Sequence, residues 1–96
     1  MEKGVQRNMD IVKTACAGTM ESSDVYVEIE PANALNIQLE SVVKQQFGDE
    51  ILRVVGEVLQ ENAVEKASVR IVDRGALECV IRARVETAVI RGKGEA

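Results

Sequence analysis

Three short stretches of strict apolar–polar alternation, arranged around one stretch of helical spacing, constrain what these 96 residues can build. From Val25 to Glu30, Val25, Val27 and Ile29 alternate with Tyr26, Glu28 and Glu30, the pattern of a strand buried on one face. Leu35 to Glu40 repeats it, with Leu35, Ile37 and Leu39 set against Asn36, Gln38 and Glu40. Pro31-Ala32-Asn33-Ala34 supplies turn chemistry between the two, so a first hairpin is the economical reading. Val43, Phe47, Ile51, Val54, Val55, Val58 and Leu59 then recur at intervals of three and four. That is one face of a long helix, capped by Ser41 and ending near Asn62, whose tolerance of left-handed geometry suits a helix C-terminus. Ala67 to Val72 alternates once more.

The stretch after it admits two structures. Asp73-Arg74-Gly75 reads as a short hairpin loop, with glycine where a positive φ is wanted. On that reading the chain returns as a fourth strand with Cys79, Ile81, Ala83 and Val85 inward and Val80, Arg82, Arg84 and Glu86 outward. Leu77, Ile81, Val85 and Ala88 also satisfy helical spacing, so a helix over 76–90 is the alternative. The density of β-branched residues from Val80 to Ile90 favours the strand. The expected architecture is α+β: a two-layer sandwich of order ββαββ, with a four-stranded, mostly antiparallel sheet and one long helix. Residues 1–10 are expected to be a disordered N-terminal extension, 11–91 the folded domain and 92–96 a C-terminal tail.

Composition narrows the chemistry. Tyr26 and Phe47 are the only aromatics, so the core is built from Val, Ile, Leu and Ala, and base-stacking surfaces are nearly absent. The net charge of −4 divides unevenly, −6 over residues 1–66 and +2 over 67–96, and an acidic domain of this kind repels phosphate backbones. There is no histidine, which removes the commonest general base, the commonest metal ligand and every Ser-His or Cys-His pair. Cys16 and Cys79 alone cannot make a zinc site, and no phosphate-binding glycine loop is present. The chain has no apolar run of membrane-spanning length and no apolar signal region at its N-terminus, so the expected address is the cytoplasm, with both thiols free. Nucleic acid, membrane and metal are not expected partners. Carboxylates are plentiful, but Glu50, Glu57 and Glu61 fall where the solvated face of a helix would put them.

One segment stands apart. Ala17-Gly18-Thr19-Met20-Glu21-Ser22-Ser23-Asp24 precedes the first predicted strand as a polar, hydroxyl-bearing loop. In most proteins such a segment is a solvated turn. Its functional reading is a serine hydroxyl that serves as an attachment point, installed by another enzyme because no residue here activates it.

That segment, Val-Lys-Gln-Gln-Phe-Gly at 43–48 and Asp-Arg-Gly-Ala-Leu-Glu-Cys-Val-Ile-Arg-Ala-Arg-Val at 73–85 together resemble the acyl carrier protein, or gamma subunit, of citrate lyase. The resemblance spans about Ile11 to Arg91, and the family pattern begins close to Met9. It implies that Ser22, the first serine after the Gly-Thr-x-Glu element, carries phosphoribosyl-dephospho-coenzyme A through a phosphodiester. Ser23 is the less suitable neighbour because family members can have glycine there. The arm's thiol would hold acetyl and citryl groups as thioesters while the alpha subunit exchanges acetyl for citrate and the beta subunit releases oxaloacetate. The implied partners are those two subunits and the transferase that installs the arm; protein made without the modifying enzymes would lack it. This chain would then be a noncatalytic carrier.

Three other readings are set beside it. The carrier subunit of malonate decarboxylase uses a similar serine-linked arm, and the 73–79 block favours citrate lyase over it. A noncatalytic module regulated by phosphorylation at Ser22-Ser23 and an autonomous carboxylate enzyme are more distant. The acids between Glu21 and Glu30 suit docking to basic partner faces or a solvated surface. Arg74, Arg82 and Arg84 suit contact with phosphate or acidic groups, or simple solubility. Cys79, among apolar neighbours, is expected to be buried and inert.

Overall fold

A computed structural model describes residues 10–94. The elements run β1 (Ala15–Gly18), β2 (Val25–Glu30), β3 (Leu35–Ser41), α1 (Lys44–Glu61), β4 (Ala67–Asp73) and α2 (Glu78–Gly92). The fold is an α+β two-layer sandwich in which a four-stranded sheet of order β1-β2-β4-β3 carries both helices on one face. Two of its pairings, β1 with β2 and β2 with β4, are antiparallel, and β3 lies parallel to β4.

The alternating stretches form strands as their patterns require. Val25, Val27 and Ile29 of β2 and Ala67, Val69 and Ile71 of β4 are fully buried beneath the helices. Cys16, Glu28, Arg70 and Gln38 form one row across the opposite face, which no helix covers. α1 packs through Ile51, Val54, Val55, Val58 and Leu59, most of the stripe its spacing predicts; Val43 falls just before the helix, and Phe47, in the first turn beyond the edge of the sheet, is 53% exposed.

Four connections differ from the sequence reading. The fourth strand is β1, four residues too short to show alternation. β2 and β3 run antiparallel but do not pair as a hairpin: β4 lies between them, so Pro31 to Ala34 reverses the chain while carrying it past the end of β4. β3, α1 and β4 therefore form a crossover unit, since parallel neighbours cannot be joined by a tight turn. Residues 73–75 lead into a helix and not a returning strand; the 76–90 segment takes its helical alternative, with Ile81, Val85, Ala88 and Val89 as the buried stripe. The β-branched residues of that segment tolerate the helix because tertiary burial outweighs their propensity. Cys79 consequently stands exposed on α2 and is not buried as expected; Cys16 is exposed too, and both thiols are free.

The ends of α1 also differ in detail. Ser41 is the last residue of β3, and its hydroxyl accepts the Val43 N–H at 3.1 Å just ahead of the helix. At the C-terminus Asn62 keeps a φ of −101° and the left-handed residue is Ala63, at +58°. Ala63 N–H bonds Gln60 O at 3.0 Å and Val64 N–H bonds Leu59 O at 2.9 Å, which closes a Schellman motif.

The two ends of the described segment meet beside the sheet. Val12 N–H donates to Gly92 O at 2.9 Å, and Gly92 is packed against Ile11 and Ile29, so the first residue of the expected 92–96 tail is the last residue of α2. Of the expected 1–10 extension only Asp10 falls within the described residues. Among the described residues no helix is long and apolar enough to cross a membrane.

Candidate functional site

The strand register gathers the informative segments at one end of the sheet. Gly18 closes β1 opposite Tyr26, while Val25 and Ser41 both align with Asp73. The β1–β2 loop, the β3–α1 junction, the β4–α2 junction and the N-termini of both helices therefore share that end. Met20, Val42, Phe47 and Leu77 add exposed apolar side chains to it.

The loop from Thr19 to Asp24 is built by local bonds. Gly18 has a φ of +87°, and a Cβ there would lie 1.9 Å from the Val25 carbonyl oxygen, so no side chain fits. Thr19 follows, and its hydroxyl donates to Asp24 Oδ2 at 2.7 Å and accepts the Glu21 N–H at 3.2 Å. Asp24 N–H returns to Glu21 O at 3.1 Å, closing a four-residue turn with Ser22 and Ser23 at its centre. Ser23 adopts a φ of +66°, a left-handed geometry of the kind the third residue of a type II turn takes. A glycine would take that position without strain, which is a physical reason for such a replacement at Ser23. Ser22 is exposed at the tip, and its hydroxyl has no hydrogen-bond partner among the described residues.

Two arginines from the C-terminal half of the chain fasten this turn. Arg84 of α2 clamps Asp24 with two bonds of 3.1 Å, Nε to Oδ1 and Nη2 to Oδ2. Arg74 joins through its backbone: Arg74 N–H to Asp24 O and Ser23 N–H to Arg74 O, both 2.9 Å, extend the β2–β4 ladder one step beyond Val25 and Asp73. Its guanidinium reaches back to Met20 O at 3.1 Å. The Asp24 carboxyl is held down at about 2 by the Thr19 hydroxyl, the Val25 N–H and Arg84, and so stays ionised.

Asp73, only 1% exposed, organises the neighbouring junction. It accepts the Ser41 hydroxyl at 2.8 Å and the Ala76 N–H at 2.9 Å, which bends the chain through Gly75, at φ +92°, into α2. That bend presents Arg74 to the loop.

Of the three arginines singled out from sequence, Arg74 and Arg84 come to the serine loop. Arg82 does not: it joins Glu57, Glu78 and Glu61 between the two helices, where Arg53 pairs with Glu50 and Glu57. The acids between Glu21 and Glu30 are likewise divided, since Asp24 pairs with Arg84 and Glu28 with Arg70 at 3.7 Å, leaving Glu21 and Glu30 exposed. The supporting roles of Gly18, Thr19, Asp24 and Asp73 were not predicted. Thr19 acts within the loop, whereas Asp24 and Asp73 also rest on contacts that close only in the fold, between Asp24 and Arg84, 60 positions apart, and between Asp73 and Ser41, 32 apart.

This arrangement presents an unencumbered hydroxyl on a braced turn, with a guanidinium bonded to the carbonyl two residues before it. Such a site fits a group tethered through a phosphodiester, which requires an accessible oxygen and gains from a nearby cation.

A family model described as the malonate decarboxylase delta subunit (MdcD), of acyl carrier proteins, matches residues 12–92. The citrate lyase acyl carrier protein of Escherichia fergusonii is 56% identical over 85 residues, 86% of this chain and 88% of the relative. The chain belongs to the citrate lyase acyl carrier protein family. Its relative from Haemophilus ducreyi is 48% identical over 92% of this chain and 93% of its own, and one from Streptococcus mutans is 49% identical over 86% and 83%. Among solved structures, a chain of a Pseudomonas malonate decarboxylase hetero-tetramer shares the fold, with a TM-score of 0.73 at 23% identity over 82% of both chains. An acyl carrier role follows from membership of this family.

Proposed function

We propose that this chain is the acyl carrier subunit of a citrate lyase, acting in the cytoplasm, and that Ser22 bears phosphoribosyl-dephospho-coenzyme A through a phosphodiester. The observation that carries the reading is the braced turn, which leaves the Ser22 hydroxyl exposed and unbonded while every flanking residue from Thr19 to Asp24 except Ser22 itself is tied to the fold. When bound, the group supplies a flexible arm ending in a thiol that holds acyl cargo. The chain contributes fixed placement of one oxygen, and neither a general base nor a metal site of its own. Tethering in this way keeps the cargo at high effective concentration for companion alpha and beta subunits. Met20, Val42, Phe47 and Leu77 stand at the same end, so a subunit or transferase that reaches Ser22 also meets apolar surface.

A malonate decarboxylase carrier is the second reading, favoured by the family model and the shared fold. Identities of 48–56% to relatives named for citrate lyase weigh against it. Intact mass of the protein isolated from its native host, followed by sequencing of the modified peptide, tests the assignment. A coenzyme-derived adduct on Ser22, absent in Ser22→Ala together with citrate cleavage by the assembled complex, is the expected result. A bare Ser22 in an active complex overturns it, and a simple phosphate points to a regulated module.

A further inference from the structure

We propose that Arg74 forms an anion seat for the phosphate group bonded to Ser22 Oγ, holding the base of the arm against the body of the domain. The inference rests on Ser22 as the attachment point and assigns a residue that receives the ester. Arg53, Arg70, Arg82 and Arg84 each meet a carboxylate. Arg74 makes no ion pair among the described residues, and its guanidinium has only the Met20 carbonyl for company. Arg91 is also without a carboxylate, but it bonds Cys16 O on β1, away from the serine turn.

The placement is specific. Arg74 grips the turn on both sides of Ser22, by backbone bonds to Ser23 and Asp24 and by Nη1 to Met20. The backbone of Arg74 is thus paired just after Ser22, and its guanidinium is held at the carbonyl two residues before it. One of its five N–H groups is used, and the others form the planar fork that suits phosphate oxygens. Beside it lies a shallow hollow of about 250 Å³, bounded by Met20, Glu40, Ser41, Val42, Asp73 and Arg74, with room for an ester group reaching over from Ser22 to lie against the cation. The surrounding charges favour such a cation: Glu21 and Asp24 on the turn, Glu40 on β3 and Asp73 at the end of β4 all repel a phosphate. Among the described residues at this end, Arg84 is already committed to Asp24, and Lys44 stands at the start of α1.

The test installs phosphoserine at position 22 by genetic encoding and follows its second ionisation by ³¹P NMR. A free phosphoserine titrates near pH 6. Glu21, Asp24, Glu40 and Asp73 raise that value, Arg84 in its pair with Asp24 and Lys44 at the start of α1 lower it slightly, and a seated Arg74 lowers it most. The expected result is a midpoint about half a unit or more higher in Arg74→Gln than in the parent, with Arg74→Lys between them because it keeps the charge and loses the fork. Equal midpoints in the parent and Arg74→Gln overturn the proposal. Hydrogen exchange at Ser23 and Arg74 checks that the backbone pairing, which does not use the side chain, survives the substitution. Native-host mass at Ser22 is read separately, so loss of the attachment reading and loss of the anion seat are distinguishable.

Discussion

Asp24 joins three parts of the chain at one carboxylate: the Thr19 hydroxyl, the Val25 backbone at 2.8 Å and the Arg84 guanidinium. These bonds favour the ionised form and hold its pKa at about 2, below the ordinary value near 4. Because the folded value is the lower one, the group's full contribution to stability is present above about pH 4 and is lost as pH falls toward 2. Asp24→Asn is expected to cost about 1–3 kcal/mol at neutral pH, the range for losing hydrogen bonds to a charged group, and to flatten the acid limb of stability. Urea unfolding between pH 2 and pH 7 checks both. In the sequence the motif was readable as an exposed loop with a serine as attachment point, but Asp24 looked like one acid among several. Its bonds to Thr19 and Val25 are those of an ordinary polar turn, and the partner that ties it to the rest of the fold, Arg84, comes from α2.

At the scale of elements, α1 shows how far periodicity reaches. Its buried stripe from Ile51 to Leu59 follows from spacing, and its end near Asn62 from the chemistry of that residue. The identity of the left-handed residue does not, because the Schellman bonds set it one position later, at Ala63. Alanine there carries a Cβ in a conformation that glycine adopts freely. Ala63→Gly is expected to raise stability by about 0.5–1 kcal/mol, measured as a higher denaturation midpoint at unchanged m-value. α2 is the opposite case. Its alternating and helical patterns coexist in the same residues, and the choice between them was made by what the rest of the chain required.

That requirement belongs to the whole molecule. Strands lie about 4.8 Å apart and a helix is about 10 Å across, so one helix covers roughly two strands. α1 packs beside β3 and the α2 helix over β1 and β2, and without α2 the apolar side of Ala17, Val25, Val27 and Ile29 would face water. The energetic centre is the middle of the sheet: Ile71→Ala, at a fully buried position in β4, is expected to cost about 2–5 kcal/mol. Phe47→Ala, at a site 53% exposed beside the serine loop, is expected to cost less than about 1 kcal/mol. Parallel chemical denaturation of the two variants separates core from rim. By itself the sequence determined three of the strands, the long helix, the aliphatic core and the serine-bearing loop, because alternation, helical spacing and turn chemistry act between near neighbours. Only the tertiary structure decided that β4 enters between β2 and β3, that the last segment is helical, and that Arg74 and Arg84 brace the turn. Each of those outcomes depends on burying a shared face or pairing a charge across most of the chain's length, and no local pattern records it.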